Sequence, residues 1–159
     1  MACLNKLKAD IRLLETLFPR THQRFRILSA NVDEISCCFV NQLGKSRVIF
    51  ANITEVYPTS PPVWFSESDD PQISSVVEAL SATNGSDNFI LGQVKLLLTQ
   101  LSQLNNLPVP EELDKLTQHL LQQHQHIYQS PSSPSQQQQR QPSQANRCCN
   151  NNNNNNNNN

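Results

Sequence analysis

Apolar residues recur along this chain with two periods, and the changes of period divide it into elements. Leu4, Leu7, Ile11, Leu14 and Phe18 fall three or four positions apart, while Lys6, Lys8, Asp10, Arg12 and Glu15 lie off that stripe. The spacing predicts an amphipathic helix over residues 4–18. Pro19 stops it, because its ring disfavours helical geometry in the residue before it. The period then drops to two. Phe25 and Ile27 alternate with Arg24 and Arg26, and Ile35, Cys37 and Phe39 alternate with Glu34, Ser36 and Cys38. Ser29–Asp33 reads as the hairpin turn between these runs. Arg47–Ile53 is a third strand-like run, entered through the turn residue Gly44. Consecutive strands joined by short turns predict an antiparallel meander.

Pro58, Pro61 and Pro62 each lack a ladder donor, so the segment from Tyr57 reads as a rigid, extended turn and not a central strand. The Pro61–Pro62 bond is a candidate for cis geometry. Val63, Trp64 and Phe65 read as a short fourth strand. Asp70 suits an N-cap and Pro71 the first helical position, which predicts a helix to about Ala82 with Ile73, Val76, Val77 and Leu80 inward. Thr83–Ser86 breaks it. Asp87 is the expected cap of the next helix, where Ile90, Val94, Leu97, Leu101 and Leu104 form a stripe that ends at Asn105, Asn106 and Pro108. A last helix starts at Pro110 or Glu111 and runs to about Tyr128. Leu113, Leu116, Leu120 and Ile127 share its stripe, which Gln123 interrupts. The fold class is α+β: a helix, three to four antiparallel strands, a Tyr-Pro turn, then helices packed on the small sheet. The Leu stripes also fit coiled-coil assembly, but each spans about two heptads where three or four are needed, so packing on the sheet is the more economical reading.

Composition adds a boundary. Residues 1–129 hold 55 apolar residues, about 43% of that stretch, whereas residues 130–159 hold three. A Ser/Pro/Gln run followed by ten Asn residues buries too little surface to offset the entropy of ordering, so a disordered tail is expected there. No apolar run approaches the ~20 residues that span a bilayer. The first residues, with Lys6, Lys8 and Asp10 among the apolar positions, do not read as a signal peptide. The expectation is a cytoplasmic or nuclear protein that is not secreted, with five reduced cysteines and unused sequons at Asn52 and Asn84. Three Gly residues and no Gly-rich signature argue against a nucleotide-binding loop, and no cofactor is expected.

The net charge of −1 conceals an asymmetry: residues 1–30 carry +4, residues 31–129 carry −7. A basic end on an acidic domain can steer an acidic partner, although charge runs are mostly solvated surface. Nucleic-acid binding has little support, because no aromatic stacking array accompanies the basic residues. Enzyme chemistry is thin. Cys37 or Cys38 with His22 is the one conceivable nucleophile–base pair, and nothing singles it out. His119, His124 and His126 with Cys148 and Cys149 lack metal-ligand spacing, so no metal is expected. Glu67, Asp69, Asp70, Glu111 and Glu112 fall in a loop and at a helix start, where acids serve solvation and the helix dipole.

Several blocks together carry a resemblance. They are Leu14-Glu15-Thr16-Leu17-Phe18-Pro19, His22-x-Arg24-Phe25-Arg26-Ile27, and Asn52-Ile53-Thr54-Glu55-x-Tyr57-Pro58-x-Ser60-x-Pro62-x-Trp64-Phe65. Asp70-Pro71 and Asn106-Leu107-Pro108 follow in order. The set resembles the N-terminal RWD-like domain of the Q-type ubiquitin-conjugating enzymes, over residues 1 to about 108. The Tyr-Pro turn alone resembles the hallmark of the whole ubiquitin-conjugating fold. That catalytic fold places a His-Pro-Asn triplet and a nucleophilic Cys after the turn. Here no such triplet follows Pro62, and the next Cys is Cys148.

The resemblance therefore implies a non-catalytic interaction module in protein ubiquitination. Its implied partners are proteins of that pathway: activating enzyme, ligase or substrate. It points to the first helix and next strand as the partner-binding surface, through Lys6, Lys8, Arg12, Arg24 and Arg26. It implies an architectural role for Tyr57, Pro58, Pro61, Pro62 and Trp64. The expected organisation is an RWD-like domain over 1–108, a helix over 109–129 and the polar tail over 130–159. A truncated conjugating enzyme, a free-standing RWD adaptor and a coiled-coil assembly protein stay as alternatives. Neither a membrane nor a homo-oligomer is indicated.

Overall fold

In the computed structural model the described residues are 2–128, with side chains described for 3–123. The expected tail, with Cys148 and Cys149, lies outside them, as do the side chains of His124, His126 and Ile127. The order is α1 (Ala2–Leu17), β1 (Phe25–Ala30), β2 (Glu34–Val40), β3 (Ser46–Asn52), β4 (Val63–Phe65), α2 (Pro71–Ser81), a 3-10 turn (Gly85–Asn88), α3 (Ile90–Leu104) and α4 (Glu112–Tyr128). The four strands form one antiparallel sheet in sequence order. This is the α+β layout expected from the changes of period.

Alternation decides which side chains enter the core. Phe25, Ile27, Ile35, Cys37, Phe39, Ile49, Ala51 and Trp64 line one face of the sheet. The helices bring Leu7, Ile11 and Leu14 from α1, Ile73, Val76 and Leu80 from α2, and Leu97, Leu98 and Leu101 from α3 to the same cluster. Burial of each large side chain contributes ~1.5–3 kcal/mol. Leu113 and Leu116 of α4 join the same core, so the Leu stripes point inward. Asp70 caps α2 as expected, its side chain accepting the Gln72 N–H at 3.1 Å.

The structure corrects several local expectations. Leu4 and Leu104, both on predicted stripes, are 41% and 44% exposed, because each sits at the end of its helix. Strand β1 runs on to Ala30 through residues read as turn, and a bulge between Ile27 and Ser29 shifts its register against β2 by one residue, so that Ser29 pairs with Ser36. The turn itself is held by Asn31 Oδ1, which accepts the N–H groups of Asp33 and Glu34. Ser36 and Cys38 face away from the helices yet are buried, because β2 is a central strand flanked on both sides. The segment after Thr54 coils through consecutive turns, with Tyr57 N–H on the Thr54 carbonyl and Thr59 N–H on the Val56 carbonyl, and is not extended. The cis bond is Tyr57–Pro58 and not Pro61–Pro62; both are X–Pro bonds of similarly low cis cost.

Asp87 does not cap α3. It lies in the 3-10 turn, and α3 begins after Phe89, which offers no side-chain cap. Asp10, placed off the helix stripe, is 2% exposed. It is held by Lys6 Nζ at 2.6 Å and by Gln123 Nε2 of α4 at 3.4 Å. The residue that interrupts the α4 stripe is therefore the one that reaches α1.

Candidate functional site

The Tyr57 turn forms a half-buried corner between the sheet and the start of α3. The Tyr57 hydroxyl accepts the Ile90 N–H at 3.0 Å, supplying from a distance the cap that α3 lacks locally. Burial raises the Tyr57 phenol, an effect the Ile90 hydrogen bond reduces and the charges of Asp10 and Cys3 reinforce, to about 12. Asn88 Nδ2 donates to the carbonyls of Pro58 and Thr59, both at 3.1 Å. Trp64 Nε1 donates to Gln93 Oε1 at 2.8 Å, and Gln93 Nε2 donates to the Asp87 carbonyl at 2.7 Å and to Thr83 Oγ1 at 2.6 Å. The Thr83 hydroxyl closes the network against Leu80 O and Asn88 Oδ1. Gln93 is fully buried with both ends of its amide paired, the arrangement a buried amide requires. Pro62 is buried, and Pro58 and Pro61 are half-buried.

The expected basic set is not one patch. Lys6 pairs with Asp10 and lies over the Phe89 ring, 4.7 Å from its centroid. Arg24 Nη1 donates to the carbonyls of Val40 at 2.6 Å and Asn41 at 3.1 Å, pinning the end of β2. Arg26 projects from the face of the sheet away from the helices, its Nη2 3.8 Å from Cys38 Sγ. Lys8 and Arg12 are exposed one turn apart on α1, without an ion pair among the described residues. Those two are the fully exposed members of the set.

Periodicity reasoning missed a second exposed surface. On the face of the sheet away from the helices, Phe50 and Phe65 stack at 5.2 Å. Val48, Val63 and Phe65 there are 39%, 52% and 40% exposed. The alternation of β3 and β4 contained this signal: both of its phases are apolar.

The two strand cysteines lie buried, whereas Cys3 of α1 is exposed. Cys37 is fully buried; burial, reinforced by the neighbouring Cys38, pushes its thiol well above the ordinary thiol range, which suppresses the thiolate. Its thiol donates to the Ile49 carbonyl at 3.4 Å. His22 is engaged elsewhere. Its Nδ1 accepts the N–H groups of Arg24 and Phe25 at 3.2 and 3.1 Å, and its Nε2 faces Glu112 Oε2 at 3.2 Å. Partial burial raises the Glu112 carboxyl, but its backbone N–H, His22 and Lys115 together outweigh that, and the net shift is downward. Cys37 and His22 thus serve two separate structural sites.

The chain is 51% identical over 117 residues to ubiquitin-conjugating enzyme E2 25 of Caenorhabditis elegans, across 73% of this chain and 30% of that protein. It is 35% identical over 135 residues to ubiquitin-conjugating enzyme E2 Q1 of Mus musculus and of Homo sapiens, across 72% of this chain and 32% of each. Its relatives are ubiquitin-conjugating enzymes. The chain spans about a third of their length. No protein-family model matches it, and no solved structure does. The homology and the α+β layout are together consistent with a ubiquitin-conjugating-enzyme-like fold.

Proposed function

We propose that this protein is a non-catalytic, RWD-type recognition module of protein ubiquitination, acting in the cytoplasm or nucleus. The observation that carries this reading is the hydrogen-bond closure of the Tyr57 corner. The catalytic fold it resembles keeps its reactive groups downstream of such a turn. Here that space holds Asn88, Gln93 and Thr83, with their polar side-chain atoms engaged within the domain. The burial of Cys37 and Cys38 supports the same reading. Recognition then falls to the exposed surfaces. Lys8 and Arg12 on α1 present a basic strip to an acidic face of an activating enzyme, ligase or substrate.

The test is titration of the full chain against ubiquitin and against the ubiquitin-activating enzyme, followed by backbone amide shifts. Saturable binding is expected to at least one of them, weakened by Lys8→Glu with Arg12→Glu. Binding indifferent to that double change would remove the basic strip from the proposal, and no binding to either probe would remove ubiquitin and the activating enzyme as partners.

The covered share of the relatives favours a second reading. In it the module is one part of a larger conjugating enzyme, with transfer chemistry elsewhere in that enzyme. An immunoblot of native protein separates the two: a band near 18.0 kDa supports the stand-alone module, and a much larger one the composite enzyme.

A further inference from the structure

Asn84, the last residue of the link from α2, and Gly85, the first residue of the 3-10 turn, make up the single Asn-Gly pair in the chain. Both residues are exposed. Asn84 occupies the N-cap position of the turn, yet its side chain makes no capping hydrogen bond. Among the described residues nothing accepts the Gly85 N–H. Gly85 sits at φ +58°, and nothing lies within 4 Å of the place where a Cβ would stand. An unbonded side-chain amide and an unbonded, unshielded backbone nitrogen are thus neighbours in open solvent.

The other asparagines among the described residues are less favourably placed. Asn31, Asn41, Asn88 and Asn105 hold hydrogen bonds through their side chains. Asn5, Asn52 and Asn106 precede Lys6, Ile53 and Leu107, whose Cβ atoms crowd the following nitrogen. We infer that Asn84 is a site of spontaneous covalent modification, converted to aspartyl and isoaspartyl forms through a cyclic imide with Gly85.

The step balances with water as the only co-reactant. The Gly85 nitrogen, losing its proton to solvent base, bonds to Asn84 Cγ, and the side-chain nitrogen leaves as ammonia. Water then opens the ring at either carbonyl. One opening leaves aspartate at position 84; the other routes the main chain through the former side chain and leaves an isoaspartyl link. Either product makes the chain one unit more negative than its present −1.

The two products differ in consequence. Aspartate caps a helical turn as well as asparagine does. The isoaspartyl link adds a methylene to the main chain directly before the 3-10 turn. That turn aims the Asp87 carbonyl at Gln93 and the Asn88 amide at Pro58 and Thr59. Ageing at Asn84 therefore loosens the Tyr57 corner through one product and spares it through the other.

The test ages the full chain in mildly alkaline buffer at body temperature and maps its peptides by mass spectrometry, with fragmentation that separates aspartyl from isoaspartyl links. Amide loss is expected at Asn84 before any other asparagine within residues 2–128, with none at that position in Asn84→Ser, whose hydroxyl retains capping ability. The isoaspartyl fraction, separated by chromatography, is expected to show a lower urea midpoint than the aspartyl fraction. Earlier amide loss at another described asparagine would overturn the site, and equal midpoints would overturn the link to the corner.

Discussion

Trp64 and Phe65 are adjacent in β4, and they do opposite work. Trp64 is 2% exposed and passes its indole N–H into the Gln93 network; Phe65 is 40% exposed and stacks on Phe50 in front of solvent. One residue of pleat separates the paired polar network around Gln93 from a face that leaves apolar surface uncovered. The polar groups of the Tyr57 corner are directed at one another, and the exposed apolar rings lie on the opposite face of the sheet.

The largest expected effect sharpens this contrast. Trp64→Ala removes a buried ring and leaves Gln93 Oε1 without its donor, for a loss of ~3–5 kcal/mol. Phe65→Ala gives up a half-exposed ring and one stack, for about 1 kcal/mol. Urea midpoints of the two variants measure the ratio, and comparable losses would show that the two faces are equally structural. Gln93→Ala comes next. It strands the Trp64 N–H and the Asp87 carbonyl at once, for about 1–3 kcal/mol by the same measurement.

Tyr57→Phe is smaller, about 1 kcal/mol, because the ring stays and only the acceptor for the Ile90 N–H is lost. It also carries a pH signature. The Tyr57 phenol ionises near 12 in the fold against an ordinary 10.0, so its contribution to stability is complete below pH 10 and is lost as pH rises through 12. Alkaline unfolding should therefore lose part of its steepness in Tyr57→Phe. The smallest effect is at Glu112. Its folded value lies below the ordinary 4.5, so its contribution is complete above pH 4.5 and is lost as pH falls through the lowered folded value. Glu112→Gln should flatten the acid limb of a stability–pH curve slightly, and an unchanged limb would show that the His22 pair contributes nothing.

Much of this fold is legible in the chain. Alternation at Phe25/Ile27 and Ile35/Cys37/Phe39 marks the inner face of the sheet, and Asp70-Pro71 marks the start of α2. These signals are local, with cause and effect within a few residues. The misreadings share the opposite property. Asp10 looks like a surface acid until Gln123, 113 residues away, reaches it. Asp87 looks like a cap until Tyr57, 33 residues before Ile90, accepts the helix N–H in question. Lys6 and Lys8 are alike in sequence, but only Lys6 lies one turn before a buried carboxylate. Local periodicity also leaves unmarked which apolar residues in β3 and β4 stay uncovered, since Val48, Phe50 and Phe65 alternate as regularly as Ile49, Ala51 and Trp64.

The most direct measurement is incubation of the full chain with ubiquitin-activating enzyme, ATP and ubiquitin, resolved with and without thiol. No thiol-sensitive ubiquitin adduct is expected on this chain, while a competent conjugating enzyme in the same mixture becomes charged. A thiol-sensitive adduct, removed by a single Cys→Ser change, would contradict the reading of the Tyr57 corner as architecture and make this protein an enzyme.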